Sequence, residues 1–430
     1  MKRAIVVGSG AGGATVAREL QGRFEVTILE AGHEFQPFLW PLPRLERLRQ
    51  SGLLFDERLI RLFFPPMRTR RTNEGMVLVN GIGVGGTTTL ATGNALRMDA
   101  DLKAIGLDLD AEFGEISREI PISCAHQARW RETTRQLYAI CQGRGLETKP
   151  TPKMGEVERC AHCGRCVLGC PSGVKWDSRR FVQQALERGA QLITGCVVER
   201  VVIRDRKAVG VEARQGWSRR FYPADLVVLA AGGLATPVIL ERSGITCEPR
   251  LFVDPVLCVA AEAAGCRQCF ELEMPFVVQR EGFIVSPYFD LLSYFFTPAW
   301  RRYPAGDVVA IMIKLADANQ GRVLPGRLEK TLGPEDHRRL NEGLKIGTEI
   351  LRQFGAREEG VFLGTLNAGH PGGMLPLTEQ SAQTLHDERL PENLYVADAS
   401  LLPRSLGNPP ILTIIAMAKR VGSVIAQQLA

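Results

Sequence analysis

Apolar residues run together at 4–7 (AIVV), give way to a glycine turn at 8–13, and return on one face of 14–21. A second apolar run, FEVTILEAG, covers 24–32. Two such runs around an amphipathic stretch predict a β-α-β unit with a buried parallel sheet. The pattern then breaks. Residues 35–75 mix Pro, Arg and aromatics with two short helical periods, and predict a surface excursion or lid. NGIGVGGTTTLATGNALRM (80–98) is a second glycine-rich loop. A helical period covers 130–146. A Pro- and Gly-bounded loop with the run CAHCGRCVLGCP (160–171) follows, and DSRRFVQQALERGAQL returns to helix. CVVERVVIRDRKAVGVEAR (196–214) predicts a strand pair about a polar turn. ADLVVLAAGG (224–233) reads as a buried strand. From about 246 the texture turns aromatic and alternating. DVVAIMIKLAD (307–317) predicts a strong strand and EDHRRLNEGLKIGTEILRQFG (335–355) an amphipathic helix. The stretch from NLYVADAS onward reads strand, turn, helix, a return to the first domain.

These elements predict an α/β fold, which the glycine motifs and the resemblance described below make a Rossmann-like FAD-binding domain with an α+β substrate-binding cap domain. The expected division is 1–120 for the first part of the FAD domain, including the excursion, and 121–190 for a helical segment with the cysteine loop. Residues 191–248 form its second part, 249–385 the substrate-binding domain, and 386–430 its C-terminal return.

Bulk properties narrow the function classes. A length of 430 residues allows two to three domains, and the formal charge of +6, from 53 basic against 47 acidic residues, is mild. No basic run with interleaved aromatics points to nucleic acid. MKR ahead of AIVVG is too short for a signal-peptide core. The longest apolar stretch, 226–240, holds a Gly pair and a Pro and falls short of a membrane span. A cytoplasmic protein is expected, with its 11 cysteines reduced. The segment SPYFDLLSYFFTPAW reads as core, as an apolar substrate pocket or as a membrane-surface patch; no membrane contact is indicated.

Gly8, Gly10 and Gly13 make a G-x-G-x-x-G turn between strand and helix. It lets backbone approach a pyrophosphate on the helix N-terminus. Glu30 ends the second strand, where an acid takes ribose hydroxyls. The long excursion, the strand pair and the late VVLAAGG order the chain as a large FAD domain. The second glycine loop suits backbone packed against a flavin.

The pieces VVGSGAGGATVA…ILEAG, GIGVGGTTT, VVERVVI, LAAGGLATPVIL, GHPGG and LYVADASLLPRSLGNPPILTIIAMAKR share one order. On them the chain resembles the glucose–methanol–choline (GMC) oxidoreductases, FAD enzymes that oxidise alcohols. The resemblance runs nearly end to end, on a chain shorter than typical members. It implies that Gly8, Gly10, Gly13 and Glu30 hold the ADP half, and that Gly85, Gly86 and Thr87 lie along pyrophosphate and flavin. Val198 meets adenine through its backbone, and Ala231 and Gly232 pack near the ADP. Asp398 and Ala399 approach pyrophosphate and ribitol, and Thr413 the pyrimidine edge. His370 matches the active-site histidine, a base for the hydroxyl proton while hydride goes to flavin. His386 reads as surface. The family's second active-site group, a His or Asn before a Pro, makes Asn408 a candidate substrate partner. Counting back from Thr413, however, puts Pro409 in that place, because of the extra Pro410. The family's loop Asn falls on Ala91, with Asn94 three places on, and the cap around 255–310 is short.

Cys160, Cys163, Cys166 and Cys170 follow the C-x2-C-x2-C-x3-C-P spacing of ferredoxins. Three readings stand: a [4Fe–4S] cluster, completed by one of Cys124, Cys196, Cys266 or Cys269 where one loop cannot wrap all four corners; a structural thiol-rich loop; and zinc. A cluster would pass electrons singly to an acceptor protein or quinone. The expected activity is oxidation of a small-molecule alcohol with His370 as base. The alternatives are a flavoprotein reductase of C=C bonds or quinones, and a flavin/iron–sulfur electron-transfer subunit.

Overall fold

The computed structural model describes residues 1–40, 46, 49–51 and 56–429. Part of the expected excursion, residues 41–45, 47–48 and 52–55, lies outside the described residues. The first apolar run becomes the strand Lys2–Val7, followed by the helix Ala11–Glu19 and the strand Phe24–Leu29. They sit in a five-stranded parallel sheet in the order Leu394–Val396, Leu226–Leu229, Lys2–Val7, Phe24–Leu29, Gln191–Ile193. Strand order reverses beside Lys2–Val7, so its C-terminal edge opens the crevice where such sheets bind ligands. The helix Ile411–Gln428 packs on Ala11–Glu19; Lys419 there pairs with Glu19 at 2.9 Å.

The expected hairpin is Cys196–Arg204 with Lys207–Gln215. Its tight turn needs left-handed backbone, which Asp205 and Arg206 adopt at φ +48° and +61°. A third strand, Ser218–Pro223, joins the pair.

A larger mixed sheet forms the second layer. Its centre is Pro255–Glu262 paired antiparallel with Val308–Leu315, then Phe283–Pro287, Phe276–Arg280 and Thr148–Pro150. The layer expected from 249–385 also takes Met67–Arg71 and Val77–Gly81. Side chains alternate across it. Val259, Ile311 and Ile313 meet the helix Pro334–Phe354, where Gly347 and Gly343 let the strands close in: a Cβ would lie 2.7 Å from Val259 and 2.5 Å from Ile313. Val256, Cys258, Ala310 and Met312 face the other way, toward the excursion. Lys314 falls on that second face by the same alternation, opposite Val256 in the register.

Candidate active site

A cavity of about 410 Å³ runs between the two sheets. One end is the crevice over the parallel sheet. Gly8 turns there at φ +96°, and a Cβ on it would meet Ala230 O at 2.4 Å. No side chain caps Ala11–Glu19, so its first N–H groups stay free for an anion. Gly13 does not line the cavity; it lets the helix close on the strand, since a Cβ would lie 2.0 Å from Gly8 O. The two glycine loops touch: a Cβ on Gly86 would stand 2.9 Å from Gly10 Cα. Gly85 donates its N–H to Ser9 Oγ at 3.1 Å. Glu30 lines the cavity and is fixed by its loop. Its Oε2 accepts from Ser9 N at 3.0 Å and Ser9 Oγ at 2.6 Å, and Oε1 from Gly32 N at 2.8 Å.

Val198, Ala231, Gly232, Thr87, Asp398 and Ala399 also line the cavity. Asp398 Oδ2 accepts from Gly232 N at 2.9 Å and Thr236 Oγ1 at 2.5 Å, tying two strand ends together. Thr413 is buried, and its hydroxyl donates to Met98 O at 2.9 Å. Its neighbours Ile411 and Ile414 line the wall instead. Pro409 and Pro410 do so too, while Asn408 Oδ1 accepts from Gln279 Nε2 at 3.2 Å. The extra proline thus brings a ring to the wall, and the Asn408 amide is spent on Gln279.

His370 lines the same cavity. Its loop is wedged between two elements. Phe252 and Gly372 exchange backbone bonds at 3.1 Å, and Gly373 N donates to Ala399 O at 3.1 Å. Only glycine fits there: a Cβ on Gly372 would lie 2.3 Å from Ala399 O. Behind the ring, Nδ1 lies 3.4 Å from Asp254 Oδ2, without the alignment of a hydrogen bond. Asp254 is buried, bonded to Lys314 Nζ and Ser405 Oγ, and held in left-handed backbone at φ +54°. Its own N–H donates to Asp317 Oδ1 at 2.8 Å, and Asp317 pairs with Lys330 at 2.7 Å. Burial lowers the His370 pKa, Lys314 lowers it further, and Asp254 opposes both. The ring is therefore neutral near pH 7. Burial raises Asp254, but Lys314 and His370 outweigh it and keep the carboxylate ionised. His386, read as surface, is half-buried; its Nε2 lies 3.0 Å from Pro391 O and its ring 4.9 Å from that of Tyr395.

Sequence reasoning passed over Asp254, Lys314 and Ser405. One signal was available: Lys314 is the lone charge in an eight-residue strand buried throughout.

The remaining end of the cavity is apolar, walled by Phe38, Ile60, Phe63, Phe64, Leu291 and Phe295. Val167 and Leu168 of the cysteine loop join this wall. Lys175 ties that loop to the second glycine loop, donating to Thr89 O, Ala91 O and Cys166 O at 2.8, 2.6 and 3.0 Å. The metal readings find no support here. Among the described residues no group of three or more His, Cys, Asp or Glu side chains is arranged to hold a metal ion. Cys160, Cys163, Cys166 and Cys170 share a loop with left-handed His162, Gly164 and Gly169, and the Cys160 thiol lies close enough to the other three to feel them electrostatically. Gly164 is pressed on Cys269 O, which a Cβ would meet at 1.8 Å. Burial pushes the Cys166 thiol up to about 12. The expected [4Fe–4S] ligand set and the zinc reading thus find no support among the described residues.

The donors fit FAD. Free N–H groups at the uncapped helix, the fixed Glu30 carboxylate and a buried Asn80 Oδ1 without a partner all border the cavity. The family model for GMC oxidoreductases matches residues 3–258. The chain is a GMC oxidoreductase. This GMC enzyme is 24% identical to an uncharacterized protein of Methanocaldococcus jannaschii, over 96% of the chain and 97% of that protein. It is 31% identical to an uncharacterized GMC-type oxidoreductase of Mycobacterium tuberculosis, over 61% of the chain and 42% of that protein's length. A long-chain-alcohol oxidase of Arabidopsis thaliana is 23% identical over 99% of the chain and 66% of that protein. The crystal structure of pyridoxine 4-oxidase from Mesorbium loti shares the fold, with a TM-score of 0.69 at 15% identity, covering 98% of this GMC chain and 99% of that one.

Proposed function

We propose that this GMC oxidoreductase oxidises an apolar alcohol, with His370 as the base. The observation that supports the reading is that His370 lines the same cavity as the glycine loops and the aromatic side chains. Gly8, Gly10, Gly86, Glu30 and Asp398 would hold FAD, which supplies the two-electron acceptor when bound. The chain's own residues do the rest. Asp254 faces Nδ1 and leaves Nε2 to take the hydroxyl proton. Burial keeps the ring neutral and able to accept it. The walls of Phe38, Phe64, Leu291 and Phe295 bind the carbon chain and exclude water. The plant relatives named long-chain-alcohol oxidases support the same substrate class. No step runs through the cysteine loop. All eleven cysteines are free thiols, which suits a reducing, cytoplasmic setting.

The test is anaerobic reduction of the FAD-loaded protein by primary alcohols of increasing chain length. Flavin bleaching that strengthens with chain length is expected, slowed about a hundredfold or more in His370→Asn. Bleaching by reduced nicotinamide but by no alcohol would sink the reading and favour a reductase. Alcohol bleaching indifferent to His370→Asn would remove the base.

A further inference from the structure

Four large apolar side chains stand in solvent on one segment: Leu39 at 67%, Trp40 at 60%, Leu62 at 68% and Phe63 at 46% exposure. They belong to one patch. The Phe38 and Phe64 rings meet edge-on with centroids 6.1 Å apart, and these two residues are the chain neighbours of Leu39 and Phe63. The patch is pinned to the body. Phe38 N donates to Leu168 O at 2.9 Å, and Arg165 Nη1 to Leu39 O at 2.8 Å. From the same excursion, Arg49 donates to the carbonyls of Tyr294, Trp300 and Tyr303 at 3.1, 3.0 and 2.6 Å. Contiguous apolar surface held in water in this way marks a contact site.

Its position selects the partner. Phe63 and Arg70 are exposed and also line the large cavity, so the patch borders the mouth of the aromatic chamber. A protein seated there would close the mouth. A lipid surface covers the same side chains and is also where an apolar alcohol dissolves. Charge points the same way. Among the described residues no carboxylate pairs with the exposed Arg61, and Arg68 donates to Pro65 O at 2.7 Å. An indole, aliphatic side chains and guanidiniums together are the makings of an interfacial site.

We infer that Leu39, Trp40, Leu62 and Phe63 dock the mouth of the chamber on an anionic lipid surface, from which the apolar alcohol enters. The inference rests on the apolar-alcohol reading above. The contact is peripheral: among the described residues no helix is long and apolar enough to cross a membrane.

The experiment floats the full FAD-loaded chain with vesicles of phosphatidylcholine, alone or mixed with phosphatidylglycerol. The wild type is expected to float with the mixed vesicles. A triple variant, L39S/W40S/L62S, is expected to partition at least about a hundredfold more weakly, three apolar side chains having been lost. Arg61→Glu is expected to lose the preference for phosphatidylglycerol. None of these positions lines the cavity, so bound FAD and reduction by a short water-soluble alcohol should match the wild type. A wild type that floats with neither vesicle overturns the inference. So does a triple variant that floats equally well, or a wild-type dimer that the triple variant dissolves. Flotation with no reduction by any alcohol would instead overturn the proposed reaction and leave the docking surface standing.

Discussion

His370 Nδ1 stands 3.4 Å from Asp254 Oδ2, and Asp254 is itself clamped by Lys314 and Ser405. The carboxylate sits in a backbone conformation that non-glycine residues seldom take, fixed by the Asp317 bond to its N–H. Strain of this kind persists only where the surroundings over-determine it, and it gathers at functional sites. Asp254→Asn should therefore slow flavin reduction by about tenfold or more with bound FAD retained, as read by stopped-flow. Asp254→Ala should cost about 3–5 kcal/mol of stability, because Lys314 is left buried and unpaired.

With His370 as the proposed base, the acid limb of the rate profile is expected to report its ring. Lys314 helps hold its pKa below the ordinary value. Lys314→Met removes that repulsion, so the ring protonates at higher pH. The expected result is an acid limb moved upward, while the rate on the alkaline plateau changes less. A limb that stays in place would mean the titrating group is another.

Asn408 pairs with Gln279 while Pro409 and Pro410 form the wall. Asn408→Ala should change the reduction rate by less than about tenfold, against about a hundredfold or more for His370→Asn. Parallel measurement on one alcohol decides this.

The thiols of the cysteine loop are unequal. Burial raises Cys170, but Ser172 and the N–H groups of Val174 and Lys175, with the Lys175 charge, bring it below the ordinary value. Cys166 is pushed up to about 12 by burial. Iodoacetamide footprinting near neutral pH should therefore label Cys170 well before Cys166.

Glu273 is pushed up to about 8 by burial, with Oε2 accepting from Phe289 N at 3.0 Å. A carboxyl raised in the folded state contributes proton-linked stability that is complete below its unfolded pKa and is lost as pH climbs to about 8. Glu273→Gln carries no such proton. Its Tm should rise relative to wild type across that window and change little with pH beyond it, as read by calorimetry.

The glycine turn and Glu30 were legible because their demands are local: a left-handed Gly8 and an acid at a strand end can be read within one β-α-β unit. The strands around 226–229 and 308–315 were legible from apolar runs. Lys314 and Asp254 were not, because their meeting depends on the register of Pro255–Glu262 against Val308–Leu315, which no local pattern contains. The cysteine spacing suggested a cluster for which the described residues give no support. It states how far apart thiols lie along the chain, not whether the fold turns them toward a common centre. The register of Asn408 could not be read locally either: Pro409 and Pro410 line the cavity, while the Asn408 amide bonds Gln279.

The parallel sheet also carries a consequence for biosynthesis. Lys2–Val7 lies beside Leu226–Leu229, and that strand finds its other neighbour only in Leu394–Val396. Asp398, Pro409 and Ile411, which complete the cradle, lie beyond it in the chain. During translation an apolar strand must wait with one edge unpaired until those residues emerge, a state open to mispairing with another nascent chain. The flavin cradle cannot close around its nucleotide before then. Loading therefore waits until those residues have emerged and folded.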